Sequence, residues 1–154
     1  MLQKNEPILN YKGLYGDELG NYSSEYIFLE LISTRSQHFN WVIKPHIHTH
    51  LFQLFIISKG SIEFNNNNIT SSINAPCVFI IPPTLMHGFV YSKDIEGYIL
   101  SLSEGLVNDI FKTSAVIENF DKIHVIYKFN EAESFKEIQP VSYTHLTLPT
   151  KRIV

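Results

Sequence analysis

Four of the seven histidines occur at spacings that suit ligand or metal binding: His46, His48, His50 and His87. Side chains alternate between the two faces of an extended backbone, so the first three imidazoles are expected to point to one face. Imidazoles at this spacing can share a divalent metal ion. The sequence therefore predicts a ligand pocket around these histidines and the nearby Gln53, with His46, His48, Gln53 and His87 as candidate metal ligands.

The residue type at position 53 decides what this pocket is expected to hold. An amide is neutral, and it binds a divalent ion more weakly than a carboxylate does. A pocket of histidine and glutamine serves a small organic anion equally well. We therefore expect a small anionic or aromatic ligand and no obligatory cofactor, with a divalent metal as an optional occupant. Trp41 and Tyr98 lie near the motif and could supply an aromatic wall, although core packing is the ordinary role of such residues.

Length and composition restrict the class of protein. The chain has 154 residues, which suits one domain, and 44% of them are hydrophobic, which is enough for a buried core. Its net charge of -3 lacks the basic excess that nucleic-acid binding requires. No apolar run approaches the roughly 18 residues that span a bilayer. The single cysteine, Cys77, excludes an internal disulfide and fits a cytoplasmic protein.

Short apolar segments separated by turn residues predict a mostly β protein. Proline at positions 82 and 83 ends one segment, and Asn65–Asn68 is typical of a hairpin tip. About eight such strands at roughly ten-residue spacing favour a sandwich or barrel. The predicted strands cover residues 25–32, 39–43, 51–58, 61–64, 69–73, 77–81, 87–91 and 98–102, with a further strand over 123–129.

The pattern changes near the end of this domain. Residues 103–115 have helical periodicity, with Ser103 as the expected N-cap. A second helix is expected to begin at Asn130 and to be cut off near Pro140. Residues 1–24 have little periodicity and predict an N-terminal arm or a short hairpin. The predicted organisation is an arm over residues 1–24, a binding and dimerisation domain over 25–129, and a truncated helix or linker over 130–140.

The spacing of the histidines resembles the two motifs of the cupin fold. His46-Ile47-His48 is followed by four residues, Gln53, six residues and Gly60, where the first motif has Glu in place of Gln. The second motif is matched by Pro82 and His87, although Pro76 and Thr84 stand where that motif has glycine. The resemblance implies a cupin-like β-barrel, or jelly roll, that gathers the four candidate ligands at one mouth.

A closer resemblance covers about residues 20–138. The segments 45–54 and 80–89 resemble the N-terminal sensor of AraC-type transcription regulators, in particular the branch that senses 4-hydroxyphenylacetate or 4-hydroxybenzoate. The resemblance implies a sensor that binds a small-molecule effector and forms a homodimer. Two helix-turn-helix units follow the sensor in that family, so DNA would be bound only through a C-terminal part that is missing here.

The last 14 residues, 141–154, are expected to be non-native. Val-Ser-Tyr-Thr-His-Leu at positions 141–146 equals one reading frame of a transposase mosaic end that is used in sequencing libraries. The natural gene is therefore expected to continue past Pro140. Without Lys151 and Arg152 the net charge becomes about -5.

Three interpretations fit these observations. The chain is the sensor half of a transcription regulator, a small metal-dependent cupin enzyme such as an oxygenase or isomerase, or a binding cupin with no link to DNA. A facial metal site in an oxygenase needs two histidines and a carboxylate, and Gln53 departs from that pattern. The first interpretation, which assigns no enzyme activity, is the one that the sequence favours.

Overall fold

The computed structural model of the chain describes residues 9–11, 26–66, 69–111 and 123–127. Strands make up most of these ranges, and two short helices connect or follow them. The elements are β1 (Leu9–Tyr11), β2 (Ile27–Leu31), α1 (Ile32–His38), β3 (Val42–His48), β4 (Leu51–Lys59), β5 (Ser61–Asn66), β6 (Ile69–Asn74), β7 (Cys77–Ile81), β8 (His87–Tyr91), β9 (Glu96–Ser103), α2 (Glu104–Ile110) and β10 (His124–Tyr127).

The strands form two five-stranded sheets that enclose one core. The first sheet has the order β1-β3-β8-β5-β6, and the second has the order β10-β7-β4-β9-β2. Neighbouring strands are antiparallel except β1 and β3, which are parallel. Phe64 and Phe89 from the first sheet pack against Phe55 and Phe79 from the second. This arrangement confirms the expected cupin-like β-barrel with a small helical part.

Helix α1 was not expected from the sequence. The predicted strand over residues 25–32 ends at Leu31, and the helix begins at Ile32. Ile32, Arg35 and Ser36 are buried, which is the spacing of one helical face. Two of these three residues are polar, so the inward face of α1 does not show as an apolar stripe in the sequence. The predicted strand is therefore one residue too long at its C-terminal end.

The turn after α1 corrects a second strand prediction. Residues 39–43 were expected to be extended, but Phe39, Asn40 and Trp41 form a turn and β3 begins only at Val42. Asn40 and Trp41 have positive φ angles of 52° and 63°. Asparagine adopts this left-handed conformation readily, whereas tryptophan rarely does. The backbone N–H of Trp41 donates to the carbonyl of Ser36 at 2.8 Å, which holds the turn against the end of α1.

The cap of the second helix agrees with its prediction. Ser103 is extended, and its hydroxyl accepts a hydrogen bond from the backbone N–H of Leu106 at 3.3 Å. The helix ends at Ile110 with Phe111 as its C-cap, earlier than predicted, and residues 112–115 lie outside the described residues. The predicted helix after Asn130 and the tail from residue 141 lie outside them too. So does most of the predicted arm, of which the structure describes the strand β1. None of the described helices is long and apolar enough to cross a membrane.

Thr84 occupies a turn position that the cupin motif gives to glycine. Its φ angle is +66°, and its backbone N–H donates to the carbonyl of His48 at 2.7 Å. A β-branched residue in this conformation is strained by about 1–2 kcal/mol. Glycine removes that strain, but it also increases the conformational entropy of the unfolded chain. This second effect cancels about 0.5–1 kcal/mol of the gain in stability. We therefore expect Thr84→Gly to raise the free energy of unfolding by about 0.5–1 kcal/mol in urea titrations.

A matched substitution on a regular strand tests the cause. Thr70 lies on β6 and is exposed, so Thr70→Gly is expected to lower the free energy of unfolding by roughly 0.5–1 kcal/mol. Equal losses at both positions would show that the conformation of Thr84 is not strained.

Candidate functional site

Two neighbouring strands bring three histidines together. His46 on β3 lies directly across from His87 on β8, and His48 follows two residues later on the same face of β3. A register shift separates Ile43 from His46, and the backbone of Pro45 approaches Gly88 there. A Cβ atom on Gly88 would lie 2.9 Å from the nitrogen of Pro45. The close approach of β3 and β8 beside the histidines therefore requires glycine at position 88.

The three imidazoles form one compact, buried cluster. His46, His48 and His87 are only 2%, 2% and 1% exposed. Their ring centroids lie 4.3 Å apart for His46 and His87, 4.8 Å for His46 and His48, and 5.5 Å for His48 and His87. One ring nitrogen from each residue lies within 4.8 Å of the other two. Three nitrogen atoms at this separation can converge on a single ion.

Backbone carbonyls fix which nitrogen of two rings carries the proton. His46 Nδ1 lies 2.8 Å from the carbonyl oxygen of Lys44, and His87 Nδ1 lies 2.8 Å from that of Leu85. A carbonyl oxygen only accepts, so both Nδ1 atoms are donors and both Nε2 atoms carry a lone pair. His87 Nε2 is buried and has no hydrogen-bond partner. This unpartnered lone pair is available to coordinate a metal ion or to accept a hydrogen bond from a ligand.

Burial keeps two of the imidazoles neutral. Desolvation lowers the pKa of His46 from 6.5 to about 4. Desolvation also lowers the pKa of His87 well below its usual value, and the nearby His46 lowers it further. His48 Nε2 lies 3.1 Å from His46 Nε2. Since His46 Nε2 carries a lone pair, His48 donates its Nε2–H to it, and an incoming metal would displace that proton.

Gln53 joins the cluster from the opposite sheet. It lies on β4, is 1% exposed, and lines a small cavity together with His46. Its side-chain NH2 donates to the hydroxyl of Ser101 at 3.4 Å. This contact leaves the amide oxygen as the atom that can coordinate an ion or accept from a ligand. The structure thus brings His46, His48 and His87 together, and it places Gln53 in the lining of the small cavity beside His46.

Three other predicted pocket residues lie elsewhere. His50 follows the end of β3, where the chain bends, and its exposed ring lies 3.3 Å from a carboxylate oxygen of Glu104. The strand alternation that would have placed it beside His48 stops at that bend. Tyr98 lies on β9 with its side chain on the face opposite to Ser101. Trp41 packs against the hydrophobic core from the turn after α1. None of the three is among the described residues that line the cavity beside His46.

A buried ion pair beside the cluster was not expected from the sequence. Arg35 on α1 and Glu30 on β2 lie 2.9 Å apart, and their side chains are 7% and 8% exposed. Arg35 lines the same small cavity as His46, Gln53 and Tyr91. Its charge contributes to the lowered pKa of both His46 and His87. The only signal in the sequence was the position of Arg35 three residues after Ile32, on the inward face of a helix that was itself not predicted.

The cavity at this site is small. Its volume is about 10 Å3, which is enough for roughly one water molecule. Phe89 lies 5.6 Å from His87 and Phe55 lies 5.1 Å from Phe89, so aromatic rings close the cluster on the side of the core. In this structure the cluster therefore has room for an ion or a water molecule.

Known proteins resemble the chain at the level of sequence family and of fold. Residues 30–130 match the family of the AraC-like ligand binding domain. Curated proteins include no significant match. Among solved structures, KdgF from Halomonas sp. is 24% identical with a TM-score of 0.36, over 40% of this chain and 57% of that one.

Two further solved structures are similar. An RmlC-like cupin from Shewanella frigidimarina is 24% identical with a TM-score of 0.34, over 41% of this chain and 55% of that one. A variant of apo ToxT from Vibrio cholerae is 13% identical with a TM-score of 0.48, over 79% of this chain and 48% of that one. The chain thus spans about half of the length of these three proteins.

Proposed function

We propose that this chain, which belongs to the family of AraC-like ligand-binding domains, is the effector-sensing part of a transcription regulator. The observation that carries the proposal is the family match over residues 30–130, which includes β3 to β9 and the whole histidine cluster. The regulator acts in the cytoplasm and binds DNA through a C-terminal part that follows the sensor. Its effector is a small metabolite, and 4-hydroxyphenylacetate and 4-hydroxybenzoate are the first candidates.

The sensor is proposed to act as a homodimer without enzyme activity. We propose α2, on which Ile110 is 60% exposed, as part of the contact between two copies. Gln53 supports a binding role, because its neutral amide stands where the cupin motif has a glutamate. Neither imidazole with a lowered pKa is charged near neutral pH. These two histidines therefore bind through neutral donors and lone pairs, and the positive charge beside them is that of Arg35.

A divalent transition metal fits the histidine cluster. The Nε2 lone pairs of His46 and His87 are oriented by carbonyl oxygens behind them, as in many metal sites. His48 and the amide oxygen of Gln53 would complete the ligand set. When bound, the metal would supply a fixed positive charge that attracts an anionic oxygen. The residues of the chain hold the ligand atoms in place and exclude water by burial.

The same fit supports a second candidate function, a small metal-dependent cupin enzyme such as an oxygenase or isomerase. The buried, partnerless Nε2 of His87 favours it, because such an atom is costly unless something binds there. Elemental analysis of protein purified without chelators distinguishes the two. One equivalent of Fe, Zn or Ni, together with a gene that stops near residue 140, would favour the enzyme.

DNA binding by the parent and by the fragment tests the proposed function. The 154-residue chain has a net charge of -3, and phosphate contacts require several Lys or Arg on one face. We expect the product of the uninterrupted gene to bind its upstream promoter at physiological salt, and the chain alone to show no sequence-dependent binding. The measurement is a fluorescence anisotropy titration with promoter DNA and with a scrambled duplex as control. Tight promoter binding by the chain alone, or none by the full product with any effector, would refute the proposal.

A further inference from the structure

A second and larger cavity lies at the side of the barrel, away from the histidine cluster. It has a volume of about 350 Å3 and lies between the edge strands of the two sheets, β6 and β10. Pockets of about 300–1,000 Å3 are typical for small organic ligands. The cavity beside the histidines, at about 10 Å3, is far below that range. Of these two cavities, only the one between β6 and β10 has room for an organic effector.

The strand register places this groove at the same end of the barrel as the histidines. Asn65 on β5 pairs with Gly88 on β8, so the next residue, Asn66, lies level with His87. On the other side of β5, Asn66 pairs with Ile69 of β6. Phe64 lines the groove and lies 5.5 Å from Phe89, which in turn lies 5.6 Å from His87. The rings of Phe64 and Phe89 therefore lie between the groove and the cluster.

The groove is lined mainly by uncharged, apolar side chains. Serine hydroxyls and one amide, from Ser71, Ser72 and Asn66, supply its polar atoms. No charged side chain is among the described residues that line it, so nothing described there neutralises an anionic ligand. The apolar part is formed by Phe64, Ile69, Ile73, Ile123 and Val125. This lining suits a small, uncharged molecule with an apolar body.

One polar atom in the groove lacks a partner. Asn66 Oδ1 is buried and has no hydrogen bond. A buried acceptor without a donor is unfavourable. The Asn66 side chain is only partly buried, so its amide can turn toward the groove, where a ligand that donates to Oδ1 removes that penalty. Ile69 beside it is 68% exposed, so a large apolar side chain stands in solvent at the rim of the groove. Both features are relieved by the same occupant, one with an apolar surface and a hydroxyl group.

We propose that the groove between β6 and β10 is the effector site, and that it takes a small neutral molecule with an apolar ring and a hydroxyl that donates to Asn66 Oδ1. The inference rests on the proposed sensor function and deepens it. It places the organic effector outside the histidine cluster, and the uncharged lining favours neutral phenols over the two aromatic acids that the proposed function names as first candidates.

Three probes of similar size separate the contributions of ring, hydroxyl and charge. Calorimetric titration of the full 154-residue chain uses 4-methylphenol, 1,4-dimethylbenzene and 4-hydroxybenzoate. We expect saturable binding of 4-methylphenol. We expect 1,4-dimethylbenzene to bind about tenfold more weakly, since it cannot donate to Asn66. The anion 4-hydroxybenzoate is expected to bind more weakly than 4-methylphenol. Equal affinities for the first two probes would overturn the role of Asn66.

Substitutions on β5 and β6 locate the site. Asn66→Leu should lower the affinity for 4-methylphenol by about tenfold, so that it equals the affinity for 1,4-dimethylbenzene. Ser71→Phe should fill the groove and abolish binding, while Thr70→Phe on the same exposed strand, outside the lining, should leave it unchanged. Circular dichroism and unfolding curves check that each variant folds.

The outcomes separate this inference from the proposed function. One outcome is that 4-hydroxybenzoate binds best, and that its binding is lost in His46→Ala/His87→Ala but kept in Ser71→Phe. The effector site is then the histidine cluster. The groove is then overturned and the sensor stands. If none of the three probes binds, the groove inference fails, while promoter binding by the full gene product still decides the sensor function independently.

Discussion

The metal-free chain is expected to lose about 3 kcal/mol or more of its free energy of unfolding as the pH falls from 6.5 to 4. An unfolded histidine takes up a proton near pH 6.5, whereas burial lowers the pKa of His46 to about 4 and that of His87 well below 6.5. The unfolded state therefore binds more protons in this interval, and stability decreases with decreasing pH. Above pH 6.5 both states are neutral at these positions, so this contribution is fully retained there.

The size of the loss follows from the linkage relation. Each group contributes about 1.4 kcal/mol per pH unit, so His46 alone accounts for roughly 3 kcal/mol by pH 4. His87 adds to this because its pKa is lowered as well. Urea titrations at pH 7, 6, 5 and 4 in the presence of EDTA measure the dependence.

One double variant and one addition identify the groups responsible. His46→Gln/His87→Gln should flatten the pH dependence. One equivalent of Zn2+ at pH 7 should raise the stability of the wild-type chain and not that of the double variant, since only the wild type offers the Nε2 lone pairs. An unchanged acid slope in the double variant would contradict the burial argument. Equal effects of Zn2+ on both proteins would contradict the metal site.

The histidine cluster could be predicted because it depends on local rules. The two-residue period of a strand places His46 and His48 on one face, and the spacing to Gln53 and His87 resembles a known motif. His50 shows the limit of the same rule. The period holds only while the strand continues, and the chain bends at Thr49 and His50, which no residue in that segment signals.

Tertiary packing determined what the sequence could not show. Helix α1 turns Arg35 into the interior because Glu30, five residues earlier, is buried beside it. Each residue taken alone is typical of a surface. Their pairing depends on the close approach of α1, β2 and β9, and no periodic pattern encodes it. The groove between β6 and β10 also escaped prediction, because its two walls come from different sheets and are distant in sequence.

The ion pair of Arg35 and Glu30 gives the second large expected effect. Arg35→Met should lower the free energy of unfolding by about 3–5 kcal/mol, because it leaves the buried carboxylate of Glu30 without its compensating charge. The double variant Glu30→Leu/Arg35→Met should recover most of that loss, since a buried pair replaced by apolar residues is often close to neutral in stability. Urea titrations of the two single variants and the double variant measure the coupling between the residues.

An exposed pair in the same protein serves as the control. Lys59 and Glu96 lie 3.2 Å apart, but their side chains are 57% and 63% exposed. Lys59→Met should therefore cost less than about 1 kcal/mol. The arginine charge also contributes to the lowered pKa of His46, so in Arg35→Met the acid-induced loss of stability that His46 causes should level off at a higher pH than in the wild type. An Arg35→Met variant that is no less stable than Lys59→Met would show that the buried pair is not coupled to the fold.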